Sequence, residues 1–272
     1  MKDYSSSPKE MVITFWENRH LIKALVEREV LGRYRGSIFG VLWSLFNPVI
    51  LLFIYTFVFS VIFKARWADA GDSRTTFALA LFAGMIPFNL FSECLMRAPS
   101  LILSNVNYVK KVVFPLEILP WVIMGSALFH ALISLGVWLL AYSIFLGPPS
   151  PMILISPIVL FPLILTTMGV CWAISSLGVF LRDVGQLINL AVTALMFLSP
   201  VFYPITSLPY GLRFYAYLNP LSLPIEQFRQ VLFWGQLPSL TYLFVYTIFS
   251  ITIACLGFFW FQKTRKGFAD VL

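Results

Sequence analysis

Six long apolar runs, set apart by short charged or proline-rich connections, decide what this 272-residue chain can fold into. They are Ile38–Phe63, Phe77–Met96, Leu119–Leu146, Met152–Leu181, Leu187–Tyr203 and Leu237–Phe261. About 20 mostly apolar residues span the ~30 Å hydrocarbon core of a bilayer. Backbone at that depth must satisfy its own hydrogen bonds, which a helix does internally. The expected fold is all-α and integral to the membrane, with six transmembrane helices. Composition excludes the soluble alternatives. Hydrophobic residues make up 59% and charged residues 11%, whereas a soluble domain of this size carries about 25% charge. Mean hydropathy is +0.86. Pro120, Pro157 and Pro162, in or beside the third and fourth runs, predict tilts or kinks there.

Lysines and arginines set the orientation. Lys2, Lys9, Arg19, Lys23, Arg28, Arg33 and Arg35 precede the first run. Arg97, Lys110 and Lys111 lie between the second and third, Arg182 follows the fourth, and Lys263, Arg265 and Lys266 follow the sixth. The other side holds Lys64, Arg66, Arg74, Arg213 and Arg229. Fourteen against five places both termini in the cytoplasm of a multi-pass protein of the cytoplasmic (inner) membrane. The net charge of +7 is then a mark of topology and not of nucleic-acid binding. No removable signal sequence is expected, because the first ~36 residues are polar and no short apolar stretch ends in a cleavage site. Cys94, Cys171 and Cys255 sit in apolar runs without metal-ligand spacing and read as small buried hydrophobes.

The chain divides into an interface segment (1–37), a six-span domain (38–263) and a cytoplasmic tail (264–272). Ser7-Pro8-Lys9-Glu10 has the form of a capping box with proline at the first helical position. After it Val12, Phe15, Trp16, Ile22, Leu25, Val26 and Val30 recur at mostly helical spacing among charges. That pattern fits an amphipathic helix at the cytoplasmic interface, and is compatible with packing on protein.

Two connections stand out. Ser104 to Glu117, bounded by Pro99 and Pro115, predicts a short cytoplasmic helix ending in an extended turn. Such a loop either is a solvated connector or offers a cytosolic motor a rigid base with charged and aromatic contacts. Ser199 to Pro238 carries six prolines yet stays aromatic, with Phe202, Tyr203, Tyr210, Phe214, Tyr215, Tyr217, Phe228, Phe233 and Trp234. It reads as broken helices dipping back into the outer leaflet, and equally as an interfacial aromatic belt. Ionisable groups near the bilayer are few: Glu93, Glu117, His130, Arg182, Asp183, Glu226 and Arg229. The lone His130 fits a hydrogen-bonded packing role better than a proton relay, and Glu226 with Arg229, three apart, suits a pair on one short helix.

Catalytic machinery is missing. There is no GxxxxGK[ST] phosphate loop, no HExxH, no GxSxG and only two histidines, His20 and His130. No catalytic residue, metal site or cofactor is expected in this chain. Six spans, no energy source and a prominent cytoplasmic loop suggest a pore subunit driven by a separate ATPase.

Several patches carry a resemblance. They are Asn18-Arg19-His20-Leu21-Ile22 through Arg28-Glu29, Arg33-Tyr34-Arg35-Gly36-Ser37, and Gly40-Val41-Leu42-Trp43-Ser44-Leu45-Phe46-Asn47-Pro48. Further on come Lys110-Lys111-Val112-Val113-Phe114-Pro115-Leu116-Glu117-Ile118-Leu119-Pro120, Arg182-Asp183-Val184, Ser199-Pro200-Val201-Phe202-Tyr203, and Leu218-Asn219-Pro220 followed by Arg229. In this order, over nearly the whole chain, they resemble the permease subunits of ATP-binding-cassette polysaccharide exporters. These carry O-antigen, capsule or teichoic-acid chains. The resemblance implies a homodimer joined to two nucleotide-binding ATPase subunits, which bind the ATP and magnesium. It also implies an interface helix, a coupling helix between spans two and three, and re-entrant helices before span six.

On that basis ATP hydrolysis in the partners rocks two permeases and opens a path for a glycan on a polyprenyl diphosphate lipid. Aromatic walls suit a sliding sugar chain, and Trp43, Phe46, Phe197, Phe202 and Tyr203 are the candidates, with lipid-facing or core packing as the plain alternative. Arg33 and Arg35 around Tyr34 suit the lipid diphosphate, though inside-positive anchoring accounts for them equally. Asn107, Lys110, Lys111, Phe114 and Glu117 are the expected contacts to the ATPase. The rivals are a related permease for drugs or small lipids, a membrane enzyme acting on lipid-linked sugars, and a binding-only scaffold. The nearest acidic pair for such an enzyme is Asp69 and Asp72.

Overall fold

The computed structural model describes residues 7–58, 74–110 and 114–272, and these form helices joined by short 3-10 turns. In chain order the helices are α1 (Pro8–Glu17), α2 (Arg19–Arg33), α3 (Trp43–Tyr55), α4 (Arg74–Arg97), α5 (Val106–Val109) and α6 (Leu119–Phe145). They continue with α7 (Ser156–Phe180), α8 (Val184–Leu198), α9 (Tyr210–Leu218), α10 (Ser222–Leu232), α11 (Leu240–Thr264) and α12 (Phe268–Val271). Among the described residues, five segments are long and apolar enough to cross a membrane: Gly40–Val58, Thr75–Ser100, Leu116–Phe145, Pro151–Phe180 and Leu240–Val271. The remaining expected span is α8, whose 15 residues reach about 22 Å at helical rise. It stops early because Ser199 turns extended and Pro200 cannot continue the ladder, so the apolar run to Tyr203 is longer than the helix.

The expected amphipathic helix is two helices. Asn18 ends α1, its side-chain Nδ2 donating to the Thr14 carbonyl at 2.8 Å. Ile22 and Leu25 of α2 pack on Ile118 and Val122 at the start of α6, with Val26 seated over Gly125. Phe15 meets Trp121 at 4.6 Å between ring centres. Val12 and Trp16 remain exposed on the far side, so one face is closed by protein and the other stays open.

Helix α4 is the axis of the molecule. It packs against α3, α6, α7, α8 and α10, and 83% of its most apolar stretch is buried, the behaviour of a helix that is hydrophobic all round. Helices α7 and α11 form the closest pair. A Cβ on Gly169 would meet the Ile253 carbonyl oxygen at 2.4 Å, and one on Gly257 would overlap the carbonyl of Gly169. Thr166 bonds Ser250 at 2.9 Å and Ser176 bonds Thr264 at 2.6 Å across the same seam. Small residues with polar cross-links are how helices associate where lipid supplies no hydrophobic drive. Both described chain ends lie at one end of this bundle: α2 rests on the start of α6, and Phe268 of α12 packs on Phe180 and Phe261. Helix α10 occupies the opposite end.

Candidate functional site

At the end where the termini meet, Arg33 and Tyr34 close α2 over a cavity of about 250 Å³ between α3, α4 and α6. Its polar lining includes Ser44, Asn47, Asn89, Glu93, His130 and Ser134. Arg33 pairs with Glu93 at 2.7 Å, and His130 Nδ1 lies 2.9 Å from the same carboxylate. The Tyr34 hydroxyl lies 3.1 Å from His130 Nε2, and Arg33 Nη1 lies 3.3 Å from Nδ1, so the ring is enclosed by Glu93, Arg33 and Tyr34. Partial burial raises the Tyr34 phenol above its ordinary range; Arg33 opposes the shift and the Glu93 carboxylate adds to it. Arg97, one turn after Glu93, pairs with Glu29 of α2. Helices α2, α4 and α6 are thereby tied at one polar knot, with Arg35 left exposed beside it.

The loop from Ala98 to Leu119 is braced beside this knot. Tyr108 of α5 stacks on Phe114, ring centres 4.1 Å apart and planes 7° from parallel. Arg28 donates to the Tyr108 hydroxyl at 3.0 Å. Arg265, from the far end of the chain, pairs with Glu117 and donates to the Phe114 carbonyl at 2.9 Å. The five expected motor contacts therefore separate. Asn107 and Lys110 are exposed, Phe114 is half-buried, and Lys111 lies outside the described residues. Glu117 is buried, its carboxylate paired with Arg265, and it braces the loop from within.

At the opposite end Arg229 of α10 is fully buried. Its Nε donates to the Ala80 carbonyl at 2.9 Å, and Nη2 donates to those of Pro200 and Val201 at 2.8 and 3.1 Å. Glu226 lies 3.4 Å away and also accepts from the Ile205 N–H at 3.3 Å. One guanidinium thus gathers α4, the break after α8 and α10, satisfying carbonyls that Pro200 and the helix end leave without a ladder. Gly84 makes room for it: a Cβ there would come within 2.2 Å of Nη2. Arg229 is thus a buried structural charge and not a loop charge.

The five aromatics expected along a conduit fall into two groups flanking α4. Trp43 and Phe46 form a cluster with Phe39, ring centres 5.4–6.1 Å apart. Phe197 stacks on Phe202 at 5.9 Å, and Tyr203 donates to the Phe197 carbonyl at 3.2 Å. Trp43, Phe46 and Phe197 are exposed. Trp43 and Phe46 thus lie on α3, and Phe197, Phe202 and Tyr203 at the end of α8 and in the turn after it.

The profile of the ABC-2 type transporter family matches residues 20–233, a stretch that includes the knot, the braced loop and Arg229. The chain belongs to the ABC-2 type transporter family. As a member with several membrane-length helices, it is a multi-pass membrane protein. Among similar proteins, the O-antigen export system permease protein RfbA of Myxococcus xanthus is 24% identical over 96% of this chain and 98% of its own length. An RfbA of Klebsiella pneumoniae is 24% identical over 93% of this chain and 95% of its own. The polysialic acid transport protein KpsM of Escherichia coli is 26% identical over 85% and 90%.

In this ABC-2 chain, the sequence pairing of Glu226 with Arg229 on one short helix is what α10 shows, whereas sequence reasoning did not reach the partners of Glu93, Arg97 and Glu117, nor the carbonyls that Arg229 meets. Each of these side chains was visible only as an ion inside or beside an apolar run, a sign of function or of a buried pair; which contacts form depends on residues up to 149 positions apart. Arg182 and Asp183 stay exposed at the start of α8.

Proposed function

We propose that this chain is the permease subunit of an ABC exporter that moves a polyprenyl-diphosphate-linked polysaccharide, O-antigen or a similar glycan, across the cytoplasmic membrane. The reading rests above all on end-to-end similarity to permeases named for O-antigen export, over 96% of this chain in one case. Two copies form the conduit, and two separate nucleotide-binding subunits supply the ATP hydrolysis with their bound magnesium. Both termini and the loop around α5 face the cytoplasm.

The arrangement of side chains supports a division of labour. Asn107 and Lys110 stand exposed on a loop stiffened by the Tyr108–Phe114 stack and by Arg265, so a push on α5 is transmitted to α6 and α11 instead of being absorbed. Arg35, exposed beside the polar knot, and Arg33 at its rim offer guanidinium forks to a lipid diphosphate. Glu93 holds Arg33 at 2.7 Å, so a diphosphate competes with that carboxylate and loosens α2 from α4 as it binds. The exposed rings of α3 and α8 line the path once a second copy supplies the facing side. Helices α9 and α10 act as re-entrant elements: α10 is sheltered by protein, with Arg229 meeting the carbonyls freed before it, while α9 presents exposed aromatic and apolar side chains on the outer side.

The test is genetic and biochemical. Removing the chain should abolish the surface glycan and cause its lipid-linked form to accumulate inside the cell, and an inactivated ATPase partner should give the same result. Surface glycan at ordinary levels without this chain would overturn the reading.

A further inference from the structure

The bundle end that holds α10 carries a cleft of about 460 Å³, a size typical of small-ligand sites. It lies between the turn at Ile205, the outer face of α10 and the segment entering α11, and none of the roles above uses it. Three amides, Gln227, Gln230 and Gln236, and three aromatic rings, Tyr217, Trp234 and Tyr242, line it. Each amide can donate and accept. Gln227 is 4% exposed and its Nε2 donates to the Ser239 carbonyl at 3.2 Å. That orientation leaves Oε1 as a buried acceptor with no hydrogen-bond partner among the described residues. A buried acceptor left unmet is destabilising, so its presence beside a cleft marks a place for a ligand donor. Trp234 is fixed by an edge-on contact with Phe233, 4.7 Å between centres at 89°.

The chemistry selects a class of ligand. No lysine, arginine or histidine is among the described lining residues, so a phosphate headgroup or an acidic sugar finds no counter-charge. Glu226, also in the lining, already faces Arg229 and the Ile205 N–H. Amides ringed by aromatic faces fit a molecule with hydroxyls at its rim and flat C–H surfaces. We propose that this cleft is a subsite for the pyranose rings of a neutral glycan, separate from the conduit aromatics, engaging the chain as it emerges on the outer side. The proposal rests on the export reading and narrows it to an uncharged polymer.

Photo-crosslinking in intact exporting cells, with the full complex present, tests it. p-Benzoylphenylalanine placed at Gln236 should give a high-mass, periodate-sensitive adduct, whereas the same probe at Phe244, an exposed site on α11, should not. Trp234→Ala should reduce the adduct about fivefold, the factor carried by one lost stacking contact, while Trp234→Phe should restore it. Equal adducts at Gln236 and Phe244, or an adduct indifferent to Trp234→Ala, would overturn the subsite even where surface glycan still depends on the chain. Surface glycan that persists without the chain would instead overturn the export reading itself.

Discussion

Replacing Arg229 with methionine keeps most of the volume and removes the charge. The side chain then no longer meets the carbonyls of Ala80, Pro200 and Val201, and Glu226 loses its partner at 3.4 Å. Breaking a buried ion pair from one side costs about 3–5 kcal/mol, and a hydrogen bond to a charged group contributes about 1.5–3 kcal/mol. These overlap in one side chain, so the expected loss is about 4 kcal/mol, or roughly 10 °C in apparent Tm for a chain of this length. The assay is thermal retention of the monodisperse elution peak in detergent. Gly84→Ala should act through the same contact, because the new Cβ falls 2.2 Å from Nη2 and displaces the guanidinium. In the Arg229→Met background the alanine has a flexible thioether to move instead, so the two losses should fall well short of additive. A shift of less than about 2 °C for Arg229→Met, or strict additivity with Gly84→Ala, would refute the view that this arginine holds the α8–α10 connection to α4.

Three further outcomes follow from the packing. Glu117→Ala should loosen the α5 loop and abolish permease-stimulated ATP hydrolysis, and the exchange Glu117→Arg with Arg265→Glu should recover part of it; no recovery would deny the brace. Lys110→Glu should lower that stimulation about tenfold while leaving stability within about 0.5 kcal/mol, as expected of an exposed position, with ATPase rate and Tm read on the same preparation. Gly257→Ala should force α11 away from the Gly169 carbonyl and cost about 1–3 kcal/mol as an overpacked seam, seen as a lowered Tm, whereas Gly136→Ala, with open space around it, should not.

Much of the architecture is legible in the sequence because lipid imposes a coarse rule: length and hydropathy locate α4, α6, α7 and α11 and the start of α3 to within several residues, while the end of the first run, at Phe63, lies outside the described residues. The same rule fails where polar backbone interrupts an apolar run. Hydropathy carries the fifth run on to Tyr203, but Ser199 and Pro200 end α8 at Leu198. It likewise merges α1 and α2, since Asn18 breaks the helix through a side-chain bond to Thr14 that leaves the apolar spacing almost intact. At the candidate sites, exposure separates what residue type cannot. Lys110 and Glu117 look alike as charges on one loop, yet one stands exposed and the other is buried against an arginine 148 residues away. His130 and Glu93 read as isolated ions, and only the packing of α4 on α6 brings them to 2.9 Å.

Proteoliposomes give the most direct measurement, with the chain reconstituted alone or together with its nucleotide-binding partner and loaded on the outer face with lipid-linked glycan. Delivery of glycan to the lumen should require the partner and hydrolysable ATP, and should stop when ATP is replaced by a non-hydrolysable analogue. Delivery by the chain alone under an ion gradient would contradict the account at its root.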